Sequence, residues 1–234
     1  MKVIILPGMD GTGKLLKPFA DALLEHGVAS TIMSYPSHLA QSYQTLMDEI
    51  IAPALPKREE FVLLAESYSG PMAIALAQQK PPGLKGLVLV VTFAEPPDSI
   101  LLAFTKLLPM KSILSLPVPC WMAHRLMLGK REPRGDHQIF CQVVREMRPE
   151  VIADRIENVR RIRLDKNPIQ LPAIYIRALE DPLLPSNAVE GVRALIPDLR
   201  VHEIPGPHLV LDTSPELCAA LTAGFVGKIG LDVA

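Results

Sequence analysis

Short apolar runs alternate with helix-forming segments along most of the chain, and this alternation constrains the possible folds most strongly. The predicted strands cover residues 3–6, 30–34, 61–64, 87–91, 173–177 and 199–204. The predicted helices cover residues 15–26, 39–51, 72–79, 187–196 and 215–226. Most of the strand runs are apolar nearly throughout, which is typical of strands buried on both faces. The sequence therefore predicts an α/β fold with a mostly parallel six-stranded sheet and helices on both faces.

One long interval interrupts the alternation. No clear buried strand occurs between Val91 and Ala173, although predicted helices cover residues 100–108, 113–116, 120–128, 138–148 and 151–163. A segment of this length is expected to carry structure of its own. It leaves the sheet at the carboxyl edge, where ligands bind in parallel α/β folds. We predict a core of residues 1–94 and 169–234 and a helical cap insertion of residues 95–168.

Composition excludes several classes of function. The chain has 234 residues, of which 49% are hydrophobic and 21% charged, as expected for one globular core. The net charge of −1 gives no electrostatic reason to expect a nucleic-acid partner. No apolar run approaches the ~18 residues that span a bilayer, and the first apolar stretch is too short for a signal peptide. We therefore predict a cytoplasmic protein without a membrane span.

The cysteines predict neither a metal centre nor a disulfide framework. Cys120, Cys141 and Cys218 lie far apart in the sequence, and their number is odd. Spacing between the cysteines does not match that of metal-binding motifs. Three reduced thiols are the simplest interpretation for a cytosolic protein, and we expect no metal and no organic cofactor.

Ser67 lies between a predicted buried strand and a predicted helix, with the small residues Ala65 and Ser69 on either side. A sharp turn from strand to helix holds a serine in a strained backbone conformation and exposes its Oγ atom. Small flanking residues are needed there because the backbone packs tightly on neighbouring elements. Serines are also common helix N-caps, so this segment alone leaves both interpretations open.

Two further candidates follow later predicted strands. Asp181 comes after the strand at 173–177, and His208 comes after the strand at 199–204. The carboxyl ends of parallel strands share one edge, so these side chains are expected near Ser67. A serine nucleophile needs a base and a group that orients the base. Other carboxylates stay open as the orienting group: Glu180, Asp198 and Asp212.

These segments resemble the α/β-hydrolase superfamily over nearly the whole chain. The resemblance rests on the loop Leu6-Pro7-Gly8-Met9-Asp10-Gly11-Thr12-Gly13, the turn at Ser67, the turn at Asp181, the loop at Pro207-His208, and the order serine, aspartate, histidine. It implies a Ser67–His208–Asp181 triad, with the backbone N–H groups of Met9 and Tyr68 as the oxyanion hole. The commonest form of the family has His-Gly where this chain has Pro7-Gly8.

The resemblance implies a serine hydrolase that cleaves an ester or thioester of a small, largely apolar acyl substrate through an acyl-enzyme. Phe93, after the fourth strand, and Trp121, in the insertion, are the predicted walls of the acyl pocket. Core packing is the alternative for Phe93. The same triad also serves acyltransferases, thioesterases and C–C bond hydrolases, which the sequence does not separate.

Charge in the insertion raises the question of a partner. Residues 121–166 hold 11 Lys+Arg and 7 Asp+Glu, whereas the rest of the chain is net negative. A solvated helical surface is the simpler interpretation. The alternative is an anionic substrate or an acidic acyl carrier that approaches the insertion.

A nucleotide-binding protein is the alternative from another class. Residues 8–14 fit the pattern Gly-x-x-x-x-Gly-Lys between a strand and a helix. Leu15 follows, however, where a P-loop has the Ser or Thr that holds Mg²⁺. This alternative also leaves the ordered Ser67, Asp181 and His208 unexplained.

Overall fold

A computed structural model of the protein describes residues 1–97, 120–130 and 137–232. Six strands form one sheet in the order β2-β1-β3-β4-β5-β6, and every pairing is parallel. The strands are β1 (Lys2–Leu6), β2 (Ser30–Ile32), β3 (Phe61–Glu66), β4 (Leu84–Val90), β5 (Ala173–Ala178) and β6 (Arg200–Ile204). The predicted six-stranded α/β sheet is confirmed.

Helices cover both faces of the sheet. In the described ranges they are α1 (Lys17–Glu25), α2 (the contiguous stretches Tyr43–Leu46, Met47–Ile51 and Ala52–Ala54), α3 (Gly70–Gln78), α4 (Cys120–Met127), α5 (His137–Glu146), α6 (Pro149–Arg160), α7 (Ala188–Leu195), α8 (Val210–Thr213) and α9 (Pro215–Asp232). One core cluster joins the sheet to α2, α3 and α7, and the other joins it to α1, α8 and α9. Side chains of β1 alternate between them, since Ile4 enters the first cluster and Val3 and Ile5 the second.

The order of the strands places a crevice between β1 and β3. The chain runs from β1 to β2 on one side and then returns to place β3 on the other side of β1. Ligands bind at such a switch point in open α/β sheets. Leu6 pairs with Ala65, so the loop after β1 and the turn after β3 lie side by side.

The described part of the insertion is helical. Helices α4, α5 and α6 match the predicted helices at 120–128, 138–148 and 151–163 to within a few residues. The predicted helices at 100–108 and 113–116 lie outside the described residues. None of the helices in the described ranges is long and apolar enough to cross a membrane.

The prediction of three reduced thiols is wrong for two of them. Cys120, at the start of α4, forms a disulfide with Cys141 in α5, and their Cα atoms are 5.4 Å apart. Only 21 positions separate the two residues, and α4 and α5 pack as a hairpin that brings them together. Cys218 is a free, buried thiol, and burial raises its pKa to about 12.

Candidate active site

Ser67 occupies a strained turn between β3 and α3. Its φ angle is 47°, a left-handed conformation that is uncommon for a residue other than glycine. Residues 61–66 and 68–74 are all buried, whereas Ser67 is partly exposed. Gly70 lies so close to Thr92 that a Cβ atom there would collide with the threonine side chain. The turn therefore exposes one hydroxyl at the edge of an otherwise buried segment.

Ser69 links this turn to the loop after β1. Its hydroxyl is fully buried and donates a hydrogen bond to the carbonyl oxygen of Pro7. Tyr35 donates to Ser69 Oγ at 2.7 Å, since the single hydroxyl proton of Ser69 is already used. Ser69, the small residue expected two positions after Ser67, thus also joins two loops of the site by hydrogen bonds.

The structure brings Ser67, His208 and Asp181 together. Ser67 Oγ lies 2.8 Å from His208 Nε2, and His208 Nδ1 lies 2.7 Å from Asp181 Oδ2. The histidine and aspartate side chains are only 4% and 6% exposed. Because Asp181 is a carboxylate, it accepts from the Nδ1–H group and leaves Nε2 free to accept the serine proton.

Asp181 is held in place by the backbone that follows it. Its Oδ1 atom accepts hydrogen bonds from Leu183 N at 2.8 Å and from Leu184 N at 3.2 Å. Glu180, the alternative carboxylate, is exposed. Its backbone N–H group donates a hydrogen bond to the Gly206 carbonyl oxygen at 2.9 Å. The structure therefore places Asp181, and not Glu180, against the histidine ring.

The loop after β1 is held by a buried arginine from the insertion. Arg155 of α6 is 3% exposed and donates to the carbonyl oxygen of Met9 at 2.7 Å and to that of Pro36 at 3.0 Å. Burial lowers the pKa of Arg155. Gly11 has a φ angle of +71°, and a Cβ atom there would collide with the guanidinium group. The Met9 backbone is thus clamped from the insertion.

Tyr68 contributes differently through its backbone and its side chain. Its N–H group lies in the first turn after Ser67 and so lacks an acceptor within the helix. Its ring is fully buried, and its hydroxyl accepts a hydrogen bond from Asn158 Nδ2 at 2.9 Å. Burial raises the pKa of this hydroxyl to about 12. The oxyanion-hole role of the Met9 and Tyr68 amides stays a prediction.

Glu66, the last residue of β3, is a buried carboxyl group beneath the loop after β1. It is 5% exposed, and its Oε2 atom lies 3.0 Å from the position that a Cβ atom on Gly8 would take. Burial raises its pKa to about 7, although the proximity of His208 and a hydrogen bond from the Gly8 N–H group oppose this rise. Its position directly before Ser67 was visible in the sequence, but its contact with Gly8 was not.

The two predicted pocket walls differ in their surroundings. Phe93 is 4% exposed and belongs to the core cluster with α2, α3 and α7, as its core-packing alternative expects. The Trp121 side chain is 70% exposed on α4. A cavity of about 830 Å³ lies between the segment Thr12–Ser34 and α5, and Ser67 is not among its lining residues. The acyl pocket therefore stays a prediction.

Arg155 and Asn158 were missed in the sequence, although α6 carries a usable signal. Val151, Arg155 and Val159 are spaced by four residues and are all buried on one helical face. An arginine that lies between two valines on the apolar face of a helix indicates that its guanidinium group has buried hydrogen-bond partners, because an unpaired buried charge is costly. Its partners, however, are more than 100 residues away in the sequence.

The loop that fits the P-loop pattern is closed by other contacts. Lys14 Nζ pairs with Glu146 of α5 at 2.8 Å. The Thr12 N–H group donates to Asp10 Oδ1 at 2.8 Å, within the loop itself. These contacts engage the lysine and the loop with protein groups and give no support to the nucleotide-binding alternative.

Comparison with known proteins identifies the fold. No family model matches the chain, and no curated protein matches it either. A carboxylesterase of the thaumarchaeon Nitrososphaera gargenis superposes with a TM-score of 0.77 at 14% identity, over 99% of this chain and 91% of that one. The protein has the α/β-hydrolase fold.

Other α/β-hydrolase structures agree with this assignment. The enol-lactonase of Burkholderia xenovorans LB400 has a TM-score of 0.71 at 14% identity, covering 96% of this chain and 90% of that one. A thioesterase of prodiginine biosynthesis from Streptomyces coelicolor has a TM-score of 0.69 at 17% identity, covering 96% and 85%. At such identities the likeness concerns the fold.

Proposed function

We propose that this α/β-hydrolase-fold protein is a serine hydrolase that cleaves a carboxylic ester or thioester of a small, largely apolar acyl substrate. The observation that carries the proposal is the continuous hydrogen-bond chain from Ser67 Oγ through His208 to Asp181. The exposure of Ser67 in a strained turn supports it, since a nucleophile must reach its substrate. Structural neighbours described as a carboxylesterase, an enol-lactonase and a thioesterase are consistent with this chemistry.

The proposed reaction begins when Ser67 Oγ attacks the substrate carbonyl carbon and His208 Nε2 takes the serine proton. Asp181 stabilises the imidazolium and keeps the ring in the required tautomer. The tetrahedral intermediate expels the alcohol or thiol, which receives the proton from His208. Water, deprotonated by His208, then attacks the acyl-enzyme, and the second intermediate releases the acid as His208 returns the proton to Ser67 Oγ.

The oxyanion of each tetrahedral intermediate needs preorganised donors. In the proposal these are the N–H groups of Met9 and Tyr68, and the start of α3 adds positive potential. Arg155 supports the first donor by holding the Met9 carbonyl. Losing one such donor typically costs about 10²–10³ in kcat.

Substrate and setting are the finer parts of the proposal. Residues 95–168 form a cap on the core of residues 1–94 and 169–234, and Trp121 and Phe93 line the acyl site. The excess of Lys and Arg in residues 121–166 suits an acidic acyl carrier as the donor of a thioester. Acyl transfer and C–C bond hydrolysis are the alternative reactions, because they use the same triad. The proposed location of the protein is the cytoplasm.

A series of p-nitrophenyl esters from acetyl to long acyl chains, with matched acyl thioesters, tests the reaction. We expect Ser67→Ala to lower kcat by a factor on the order of 10⁶. Ser186→Ala, at an exposed serine, is the matched control and should keep full activity. A fluorophosphonate probe should label the native protein and not the Ser67→Ala variant. Full activity in Ser67→Ala would remove Ser67 from the mechanism.

A further inference from the structure

Helices α4 and α5 place two cysteines and two histidines on facing turns. Cys120 and His124 are four residues apart on α4, and His137 and Cys141 are four residues apart on α5. Residues at this spacing lie on the same face of a helix, one turn apart. The cysteines form the disulfide, and the centroids of the two imidazole rings are 5.4 Å apart. The four side chains thus form a compact group between two helices.

One nitrogen–sulfur distance within this group matches the spacing of ligands around a tetrahedral metal ion, and the two sulfur atoms, bonded to each other here, must move apart after reduction. The ligand atoms of Cys120, His137 and Cys141 all lie within 4.8 Å of one another. Cys141 Sγ is 3.5 Å from His137 Nε2. Zinc bonds of about 2.3 Å to sulfur and about 2.0–2.1 Å to nitrogen place tetrahedral ligands roughly 3.4–3.8 Å apart.

The disulfide explains why the two cysteines are close together, but not why the two histidines lie beside them. Both imidazole rings also pack on Phe140, which is 2% exposed: the His137 ring stacks on it and the His124 ring meets it edge-on. A buried aromatic base orients the rings and lowers the entropy cost of binding. A nitrogen atom of His137 therefore lies beside the two sulfur atoms, and the His124 ring is its neighbour.

We propose that the reduced α4–α5 hairpin binds one structural zinc ion through Cys120, His124, His137 and Cys141. Three ligand atoms are already clustered, and the fourth ligand in the proposal is His124, whose ring centroid lies 5.4 Å from that of His137. Two thiolates and two neutral imidazoles are a common set for structural zinc, and together with Zn²⁺ they carry no net charge. The expectation of no metal arose because only the spacing between cysteines was considered, not the Cys-x-x-x-His and His-x-x-x-Cys pairs.

Conversion of the oxidised hairpin needs a reductant, which we take to be a dithiol or a phosphine. Two electrons and two protons convert the disulfide into two thiols. A dithiol supplies both and becomes a cyclic disulfide, whereas a phosphine supplies the electrons and becomes its oxide, with water as the source of the oxygen and the protons. Zn²⁺ then replaces both thiol protons, which pass to solvent. The disulfide and the zinc dithiolate are thus alternative closures of the same hairpin.

A closed hairpin matters because it touches the residue after His208. Leu128 and Phe140 pack against Leu209, and the Leu209 N–H group donates to the Met127 carbonyl at 3.3 Å. A metal ion would therefore stabilise a surface that supports the candidate histidine. The metal proposal nevertheless stands on the hairpin alone and does not depend on the hydrolase proposal.

Cobalt titration of the phosphine-reduced full-length protein tests the site. We expect one equivalent of Co²⁺ to give the intense visible bands of a tetrahedral ion and a thiolate-to-cobalt charge-transfer band, both removed by Zn²⁺. The double variant Cys120→Ser/Cys141→Ser should abolish the charge-transfer band, and each single variant should weaken it, because one thiolate remains. His124→Ala and His137→Ala should each lower the affinity for Co²⁺ by more than ~10–100-fold, which is the loss typical when a residue that only supports a metal ligand is replaced. His26→Ala and Cys218→Ala are the matched controls and should bind normally.

Thiol alkylation gives a second readout that does not depend on colour. Zinc should slow the alkylation of Cys120 and Cys141 in the reduced protein and leave buried Cys218 unchanged as an internal reference. The proposal is overturned if the reduced native protein shows no charge-transfer band, or if both histidine variants bind Co²⁺ normally. Equal alkylation with and without zinc overturns it too.

Discussion

The carboxyl edge of the sheet, with the candidate active site, and the helical insertion are built by different means. At the edge, Ser67, Asp181 and His208 each follow a parallel strand of the sheet, so regular backbone pairing delivers them to one place. The insertion instead reaches the site through single side chains, above all Arg155 and Asn158. Elements set by backbone periodicity leave a clear pattern in the sequence, whereas contacts made by individual side chains do not.

The two regions also differ in how they hold polar groups. The triad forms one chain of hydrogen bonds between side chains of the core. Arg155, in contrast, donates hydrogen bonds to two backbone carbonyl groups. Since a buried cation is costly without partners, the loss of these two bonds should weaken the docking of the insertion.

The largest effect is expected at the core. Asp181→Asn should leave the fold intact and lower kcat by a factor of about 10⁴, because the amide disfavours the productive tautomer of His208. Glu180→Gln, one position away and exposed, is the control and should retain activity. Steady-state kinetics on a p-nitrophenyl ester measure both. A greater loss in Glu180→Gln would show that the wrong carboxylate has been assigned.

A smaller effect is expected where the insertion meets the core. Arg155→Met keeps the length of the side chain but removes both hydrogen bonds to the loop after β1 and to Pro36. We expect the free energy of unfolding to fall by about 4 kcal/mol, because hydrogen bonds to charged groups contribute ~1.5–3 kcal/mol each. We also expect kcat to fall, since the Met9 backbone loses its clamp.

Urea denaturation and kinetics of Arg155→Met should be compared with those of Arg161→Met, on the same segment but exposed. If the two variants behave alike, the insertion does not support the site through Arg155. Single side chains would then not explain how the insertion is held on the core, because Arg155 makes the main contact of this kind.

The smallest effect concerns Glu66 and depends on pH. Folding raises the pKa of this carboxyl group from 4.5 to about 7, so the unfolded chain loses the proton first as the pH rises. The stability that the protonated group contributes is complete below pH 4.5 and is lost as the pH rises towards about 7. Between pH 5 and pH 8 the loss should be about 2–3 kcal/mol.

Glu66→Gln should remove this loss, because glutamine keeps an acceptor for the Gly8 N–H group and does not titrate. Glu49→Gln, at an exposed position of α2, should leave it unchanged. The measurement is the free energy of unfolding at both pH values. If native protein and Glu66→Gln change equally with pH, Glu66 is not the buried carboxyl group that limits stability at neutral pH.

Much of the core could be predicted because its pattern is local. A parallel strand buried on both faces is apolar nearly throughout, as residues 61–65 of β3 show, and such runs give both the sheet and its carboxyl edge. The loops that carry Ser67, Asp181 and His208 follow directly. The helices at 120–128, 138–148 and 151–163 were likewise predicted from local composition, whereas their contacts with the core were not.

Other features could not be predicted because they join distant parts of the chain. The hydrogen bond from Arg155 to Met9 spans 146 positions, and that from Asn158 to Tyr68 spans 90. The Cys120–Cys141 disulfide depends on how two helices face each other, which cysteine spacing alone does not reveal.

The sequence by itself determined the α/β architecture, the sheet edge and the three loops that meet there, because strand periodicity and parallel topology follow from local apolar patterns. Only the tertiary structure decided that Asp181 and not Glu180 faces His208, that Glu66 is buried under Gly8, and that the insertion is tied to the core by Arg155. Glu180 and Asp181 are adjacent residues of one loop, so the local sequence pattern does not distinguish them. Packing of the surrounding elements alone selects which of them turns inward.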